Sequence, residues 1–203
     1  MASVHKEIET NIKRYKRGDL IFSVDFRGKG SNDAIKQALS RLCKEGTLKR
    51  LGHGIYVLPK KDPVFGEVLP SAEEVAEALA KKEQVRIRPA GAYALHKLGL
   101  SMQVPTKLVY LTDGTARQIM IGKTTIKFKA TTPKKLSLKG AYSSLIIPAL
   151  EEIGLDSIDK NIEKRIQELL KLEDPLTLRQ DLKKATVQIA EYLIKLNSND
   201  TVA

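Results

Sequence analysis

The residues in this sequence that are best suited to chemistry are ten polar and basic side chains between positions 31 and 53. They are Ser31, Asn32, Lys36, Gln37, Ser40, Arg41, Lys44, Lys49, Arg50 and His53. In a groove of duplex DNA, Asn and Gln pair with adenine edges, while Lys and Arg contact guanine or phosphate. The surface helix of any soluble protein is polar as well, so the residue types alone favour nucleic-acid binding only weakly. These residues support a DNA-binding function only if the secondary-structure elements that carry them place them on one surface.

Two adjoining elements are predicted to carry these ten residues. Apolar residues recur at helical spacing after Ser31, a natural N-cap, and this pattern stops at Gly46. The apolar residues are Ile35, Ala38, Leu39 and Leu42. Two short apolar runs then flank Gly52-His53-Gly54, which predicts a β-hairpin. A hairpin tip has no structural need for positive charge, so Lys49 and Arg50 strengthen the prediction of DNA binding. His53 is equally compatible with an ordinary turn residue.

The residues before Ser31 complete a recognisable order of elements. Residues 4–17 place apolar side chains on one stripe, which predicts an amphipathic helix. Leu20-Ile21-Phe22 predicts a short strand, and the residues up to Gly30 predict a helical turn followed by a glycine turn. Helix, strand, helical turn, recognition helix and hairpin wing follow each other in a winged helix-turn-helix. We expect this domain to span residues 1–62 and to end in a linker around Pro59-Lys60-Lys61.

Residues 63–203 are expected to form a second, α+β domain, which makes the whole chain an α+β protein. Three strand-like runs predict a small antiparallel sheet, at residues 107–112, 117–121 and 124–131. The third strand alternates core residues with Lys127 and Lys129, and this basic face suits either solvent or an acidic partner. From about residue 139 the pattern is helical, which predicts a helical C-terminal tail.

The balance of charge changes along the chain. The formal net charge is +11, from 35 basic and 24 acidic residues, which favours a polyanionic partner. Residues 1–60 hold 13 basic and 6 acidic side chains, whereas residues 139–203 hold 9 and 11. The acidic tail is therefore typical of a packing or protein-interaction element rather than a DNA surface. Asp174 and either Asp156 or Ser157 are expected to cap its helices.

The sequence lacks the features of an enzyme, a metal site or a membrane span. His5, His53 and His96 lie in unrelated contexts, and the single cysteine, Cys43, cannot form an internal disulfide. Phosphate-binding loops, Asp-x-Asp metal motifs and Gly-x-Ser-x-Gly nucleophile motifs are absent. We therefore expect no catalytic activity and no cofactor. No apolar run is long enough to span a bilayer, so we expect a soluble, cytoplasmic protein without a membrane partner.

Two segments resemble one family of bacterial proteins. The run SRLCKEGTLKRLGHGIYVLPK, which starts at Ser40, resembles the end of the winged helix in AbiEi-type antitoxins and their DUF6088-like relatives. The matching positions are Leu39, Arg41, Leu42, Gly46, Leu48, Arg50, Gly54, Ile55 and Tyr56. The segment RPAGAYALHKLGL, from Arg88 to Leu100, is similar to the start of the second domain in that family. AbiEi-type antitoxins are transcriptional regulators of type IV toxin-antitoxin systems, which act in abortive infection.

The resemblance implies a DNA-binding antitoxin. Its first domain would bind inverted repeats in its own promoter and repress the operon, and its second domain would counteract a nucleotidyltransferase-like toxin. With the helix after Ser31 in the major groove, the base-reading residues would be Asn32, Lys36, Gln37 and Ser40, and the phosphate contacts would be Arg41, Lys44 and Arg50. Three alternatives remain. The winged helix is a scaffold for protein interaction through the face around Lys127 and Lys129, or the protein is a lone transcriptional regulator without a toxin. The third alternative is a nucleic-acid-modifying enzyme, which would require a pair of carboxylates that only the folded chain brings together.

Overall fold

The computed structural model describes residues 3–198, in which helices and short β-strands are mixed up to Ala130 and only helices follow. The chain is therefore a mixed α+β protein, as predicted. Contacts between residues divide it into two compact units. The first contains the described residues up to Leu79 together with Ile119–Thr124. The second contains Ala80–Gln118 together with the described residues from Thr125 onward.

The first unit begins with a helix, a strand and a helical turn that lead into a 13-residue helix and a hairpin. These elements are α1 (Val4–Ile12), β1 (Leu20–Phe22), a 3-10 helix (Ser23–Phe26), α2 (Asn32–Lys44), β2 (Lys49–Gly52) and β3 (Ile55–Val57). β3 lies between β1 and β2 and pairs antiparallel with both. The predicted succession of elements is present, although α1 ends at Ile12 and does not continue to residue 17.

The core of the first unit is built mainly by α1, α2 and the three-stranded sheet. Ile8 and Ile12 on α1 are buried, and so is Phe26 at the end of the 3-10 helix. The four apolar residues of α2 that were predicted to face inward are all buried, namely Ile35, Ala38, Leu39 and Leu42. Because a helix buries one stripe only, this packing turns the polar face of α2 toward solvent.

The chain after β3 forms a second hairpin where a linker was predicted. β4 (Lys60–Asp62) pairs antiparallel with β5 (Gly66–Val68). Asp62 closes the turn, since its Oδ1 accepts the N–H groups of Val64 and Phe65 at 2.8 and 2.9 Å. The predicted division of the chain at residue 62 falls at this turn and stays a prediction.

A helix and a four-stranded sheet follow the second hairpin. These elements are α3 (Ala72–Glu83), β6 (Ile87–Ala90), α4 (Gly91–Lys97), β7 (Lys107–Thr112), β8 (Arg117–Ile121) and β9 (Thr124–Ala130). α3 begins at a capping box, in which Ser71 Oγ accepts the Glu74 N–H at 3.1 Å and Glu74 Oε2 accepts the Ser71 N–H at 2.7 Å. The strands are arranged in the order β6-β7-β9-β8.

One strand pair in this sheet contradicts the sequence-based expectation. β6 and β7 are antiparallel, but β7 and β9 are parallel, so the sheet is mixed and the prediction of a wholly antiparallel sheet is wrong. At the end of β7, Asp113 accepts hydrogen bonds from the backbone N–H and the Nε of Arg86, at 2.7 and 2.8 Å. The chain then forms β8 at the far edge of the sheet before it returns as β9, beside β7.

The last part of the described chain is helical, as predicted. Its helices are α5 (Pro133–Leu136), α6 (Ser143–Ile153), α7 (Lys160–Lys171), α8 (Pro175–Leu182) and α9 (Val187–Ser198). Asp174 caps α8 by accepting the Thr177 N–H at 2.7 Å, as predicted. α7 is capped by Asp159 and not by Asp156 or Ser157, because these two residues lie in a 3-10 helix. Apolar residues of α6, α7, α8 and α9 pack into one core, which includes Ile146, Leu150, Ile166, Leu170, Leu178 and Leu193.

Candidate nucleic-acid interface

The outer face of α2 presents six of the ten residues that were predicted to face DNA. They are Asn32, Lys36, Gln37, Ser40, Arg41 and Lys44, and all six are exposed. Ser31 lies one residue before the helix, where its Oγ accepts the Ala34 N–H at 3.2 Å. Ser31 therefore acts as the predicted N-cap, because it satisfies one of the unpaired N–H groups of the first turn.

The last turn of α2 concentrates positive charge. Arg41 and Lys44 lie there, and Gly46 follows in a left-handed conformation with φ +74°. Cations at this end of a helix interact favourably with its macrodipole. Within residues 3–198, neither Arg41 nor Lys44 forms an ion pair with a carboxylate. Their charges are therefore available to an anionic ligand.

The β2–β3 hairpin has an irregular strand and a fixed tip. Its register shifts between Arg50 and Gly52, where the Nε of Arg50 donates to the Gly52 carbonyl at 3.2 Å. Gly54 at the tip has φ +69°, and its carbonyl accepts the Ser23 N–H at 2.9 Å. A Cβ at position 54 would lie 2.7 Å from the Oγ of Ser23. Only glycine therefore fits this contact between the hairpin and the 3-10 helix.

A groove of about 250 Å³ separates the outer face of α2 from this hairpin. It is lined by Ser23, Lys36, Ser40, Cys43, Arg50, His53, Gly54 and Tyr56. Lys36 and Ser40 come from the helix, while Arg50 and His53 come from the hairpin. The structure therefore brings four of the ten predicted residues together. The other six lie outside the groove, namely Ser31, Asn32, Gln37, Arg41, Lys44 and Lys49.

The charge of the groove comes from its cations. Burial raises the pKa of the Cys43 thiol, although Arg50 opposes the shift. Burial also raises the pKa of the Tyr56 phenol, again against the effect of Arg50. Both groups are therefore uncharged at neutral pH, because their ordinary pKa values already lie above it. Lys36 and Arg50 are left to give the groove a positive charge.

Two of the predicted basic residues have carboxylate partners. Lys49 Nζ lies 2.7 Å from Glu67 on β5. Lys36 Nζ lies 3.6 Å from Asp33, and both of these side chains are well exposed, so the pair contributes little. Arg50 has no carboxylate partner within the described residues. Among the basic residues predicted to face DNA, Lys49 is therefore the least available to a ligand, and Arg50 is the most available on the hairpin.

The second unit contains a buried polar network that sequence reasoning missed. Asp181 is fully buried and accepts the N–H groups of Lys139 and Gly140 at 2.9 and 2.8 Å. Glu173, which is 7% exposed, accepts the N–H groups of Ala141, Tyr142 and Ser143; the three distances are 3.0, 2.7 and 2.8 Å. Two carboxylates thus hold the loop that leads into α6.

Arg88 holds the other side of this loop. Its guanidinium donates to the carbonyls of Leu136, Leu138 and Ser144 at 3.1, 2.7 and 3.1 Å. Burial lowers the pKa of Arg88, whereas the negative charge of Asp181 raises it. Arg88 opens the second segment that resembles the antitoxin family, and its contacts here are structural. These three hydrogen bonds go to backbone carbonyls, so they fix the chain, while the buried Nε of Arg88 has no partner among residues 3–198.

The basic face of β9 is partly neutralised. Lys129 Nζ lies 2.6 Å from both carboxylate oxygens of Glu152 on α6. Lys127 on the same strand is half-buried. The predicted docking surface around these two lysines therefore offers less free charge than the sequence indicates.

Residues 3–198 contain neither a candidate metal site nor a helix that could span a membrane. No group of three or more His, Cys, Asp or Glu side chains in this part of the chain is arranged to hold a metal ion. His96 Nδ1 lies 3.1 Å from the Ser101 carbonyl oxygen, a contact that links the end of α4 to the following loop. None of the helices in the same range combines the length and the apolar character needed to cross a membrane.

Comparison with known proteins places the chain in a family. The sequence model of DUF6088, a family of unknown function, matches residues 7–178. The match begins in α1 and ends in α8, so it includes all ten predicted DNA-facing residues and the groove between α2 and the hairpin. No curated protein matches the chain. Since the family model covers far more than half of the sequence, the chain belongs to the DUF6088 family.

Proposed function

We propose that the first unit is a winged helix-turn-helix that binds duplex DNA, with α2 in the major groove and the β2–β3 hairpin as the wing. The observation that carries this proposal is the groove in which Lys36 and Ser40 of α2 face Arg50 and His53 of the hairpin. A phosphodiester backbone beside an inserted helix meets positive charge at such a place. Arg50 suits this role best because no carboxylate in the described part of the chain neutralises it.

The polar face of α2 divides into two roles under this proposal. Asn32, Gln37 and Ser40 are uncharged and exposed, and with Lys36 they form the set that reads base edges. Arg41 and Lys44 at the C-terminal end of the helix contact phosphates and fix the register of the protein on DNA. The protein acts through binding alone, without a catalytic step or a cofactor.

The regulatory part of the proposal is an antitoxin that represses its own operon. It rests on two segments, residues 40–60 and residues 88–100, which resemble segments of AbiEi-type antitoxins. On this basis the DNA target is a set of inverted repeats in the promoter of the protein itself, and the second unit counteracts a nucleotidyltransferase-like toxin. The alternative, a protein-interaction module that docks through Lys127 and Lys129, has less support because Glu152 neutralises Lys129.

Selection of binding sites from a library of random DNA duplexes tests the proposal. The wild-type protein is expected to enrich one sequence motif, because Asn, Gln and Lys at the helix surface discriminate between bases. Lys36→Ala and Gln37→Ala should each relax the enriched motif at one or two positions, at a cost of about 1–3 kcal/mol per lost base contact.

Lys13→Ala is the matched control for this selection. Lys13 is a well-exposed lysine that follows α1 in the same unit, and it takes no part in the groove. This variant should enrich the wild-type motif. Enrichment of no motif by the wild type, or an unchanged motif with both Lys36→Ala and Gln37→Ala, would contradict the assignment of α2 as the recognition helix.

A further inference from the structure

A second and larger groove, of about 770 Å³, lies among α7, α8 and α9 in the second unit. It is lined by Leu170, Lys171, Glu173, Pro175, Leu178, Arg179, Leu182, Lys183, Ala190, Ile194 and Asn197. Most of these side chains are apolar, and Ile194 is 55% exposed although it is a large aliphatic residue. An exposed apolar surface of this kind, with polar groups at its edge, is typical of an interaction site.

The edge of this groove is positively charged, although this part of the sequence has more acidic than basic residues. Arg179 and Lys183 are exposed, and neither forms an ion pair with a carboxylate among residues 3–198. The one acidic residue in the lining, Glu173, is buried and binds backbone N–H groups. The groove therefore has an apolar floor and a cationic edge.

The acidic residues of the C-terminal helices do not cancel this charge, because most of them are engaged elsewhere. Four cap helices or bind backbone N–H groups, and four pair with Lys, Arg or Tyr side chains outside the groove. They are Glu151, Glu152, Asp159, Glu163, Glu168, Glu173, Asp174 and Asp181. The edge of the groove is therefore basic, although residues 139–203 as a whole have a negative net charge.

We propose that this groove binds an acidic amphipathic helix of a partner protein. Apolar side chains at positions i, i+3, i+4 and i+7 of such a helix would fill the space between Leu178, Leu182 and Ile194. Its Asp and Glu residues would meet Arg179 and Lys183 at the edge, where complementary charge sets the orientation and the choice of partner. A concave site also fits a helix better than a lipid surface, since membrane-bound amphipathic segments insert a protruding apolar face.

Synthetic peptides of about five helical turns can test this proposal with the full-length protein. The first carries Leu along one face and Glu elsewhere, the second has Lys in place of every Glu, and the third is a scrambled form of the first. In fluorescence polarisation, the first peptide is expected to bind at least about tenfold more tightly than the other two.

Two groove variants and one control locate the binding site. Arg179→Glu and Ile194→Glu should each raise the Kd of the acidic peptide by about tenfold, and Arg179→Glu should also improve binding of the basic peptide. Lys195→Glu makes the same charge change at an exposed residue of α9 that does not line the groove, so it should leave the Kd unchanged. All three positions are exposed, so the variants should keep the wild-type circular dichroism spectrum and Tm.

Equal binding of the acidic and scrambled peptides would overturn the proposal. So would a Kd that Arg179→Glu and Ile194→Glu leave unchanged. Vesicles of anionic phospholipid serve as a parallel probe. Binding to vesicles that Arg179→Glu abolishes, without binding of the acidic peptide, would assign a membrane surface instead. The inference does not depend on DNA binding, because its variants lie in the second unit and the DNA-site variants lie in the first.

Discussion

Among single residues, Asp181 makes the most extensive set of buried polar contacts. Besides the two backbone N–H groups of the loop before α6, it accepts hydrogen bonds from Ser143 Oγ at 3.0 Å and Lys184 Nζ at 3.1 Å. Burial by itself would raise the pKa of this carboxyl. The hydrogen bonds from Gly140, Lys184, Lys139 and Ser143 outweigh burial and lower the pKa below its ordinary value.

Because the pKa of Asp181 is lowered on folding, we expect the free energy of unfolding to depend on pH in the acidic range. The unfolded chain takes up a proton at Asp181 near pH 3.9, before the folded chain does, so the stabilising effect is present above this pH and is lost as the pH falls through the lower, folded-state pKa. Asp181→Asn should reduce the free energy of unfolding at pH 7 by about 3 kcal/mol. It should also reduce the pH dependence between about pH 5 and pH 2.

Urea unfolding over this pH range, followed by circular dichroism, measures both effects. Lys139→Ala is the control, because Lys139 uses only its backbone N–H in the network and its exposed side chain is expendable. If the Asp181→Asn protein had the same stability and the same pH dependence as the wild type, the charge of Asp181 would not contribute to the stability of the fold.

The sequence could predict exposed residues better than buried polar ones. The helical period of α2 leaves its polar residues outside once Leu39 and Leu42 are buried, so their exposure follows from local pattern. The roles of Glu173 and Asp181 in the buried network do not follow from any local pattern. Apart from Lys184, their partners lie 30 to 42 residues earlier in the chain, and no local pattern connects residues at that distance.

Among the elements, α2 has the closest link between fold and proposed function. Ser31 caps this helix and was also predicted to lie at the DNA surface. Loss of an N-cap hydroxyl costs about 1 kcal/mol. An aspartate at the same position caps a helix as well as serine does, but it brings a negative charge to the proposed DNA surface.

Two variants at position 31 separate the cap from the DNA contact. Ser31→Ala should lower the free energy of unfolding by about 1 kcal/mol. Ser31→Asp should keep wild-type stability, while its DNA affinity falls because the added carboxylate repels phosphate. Chemical denaturation and fluorescence anisotropy with a DNA duplex measure the two quantities. Unchanged DNA affinity of Ser31→Asp would place the N-terminus of α2 away from the DNA.

The four-stranded sheet shows what local patterns cannot determine at this scale. All three predicted strands exist, because alternating apolar residues and nearby turn residues identify strands locally. The neighbour of each strand is set by where the chain goes between strands. After β7 the chain forms β8 at the far edge of the sheet and returns as β9, the parallel neighbour of β7. The direction of pairing therefore depends on the path of the chain between the strands, which no local pattern specifies.

At the scale of the whole molecule, the two units carry different surfaces and different proposals. The first unit offers the polar face of α2 beside a basic hairpin, and the second offers an apolar groove with a cationic edge. The total charge of +11 favours a polyanionic partner but does not locate it. Only the positions of the carboxylates, which neutralise Lys49 and Lys129 but not Arg50 or Arg179, show where positive charge is available.

The salt dependence of DNA binding tests the central claim most directly. The logarithm of the association constant, plotted against the logarithm of the salt concentration, should fall linearly for the wild type, because bound cations displace counterions from phosphates. Arg50→Ala should make this slope shallower by about one unit, and Lys13→Ala should leave it unchanged. A flat plot for the wild type, or the same slope for the wild type and Arg50→Ala, would contradict the claim that α2 and the β2–β3 hairpin form a DNA-binding surface.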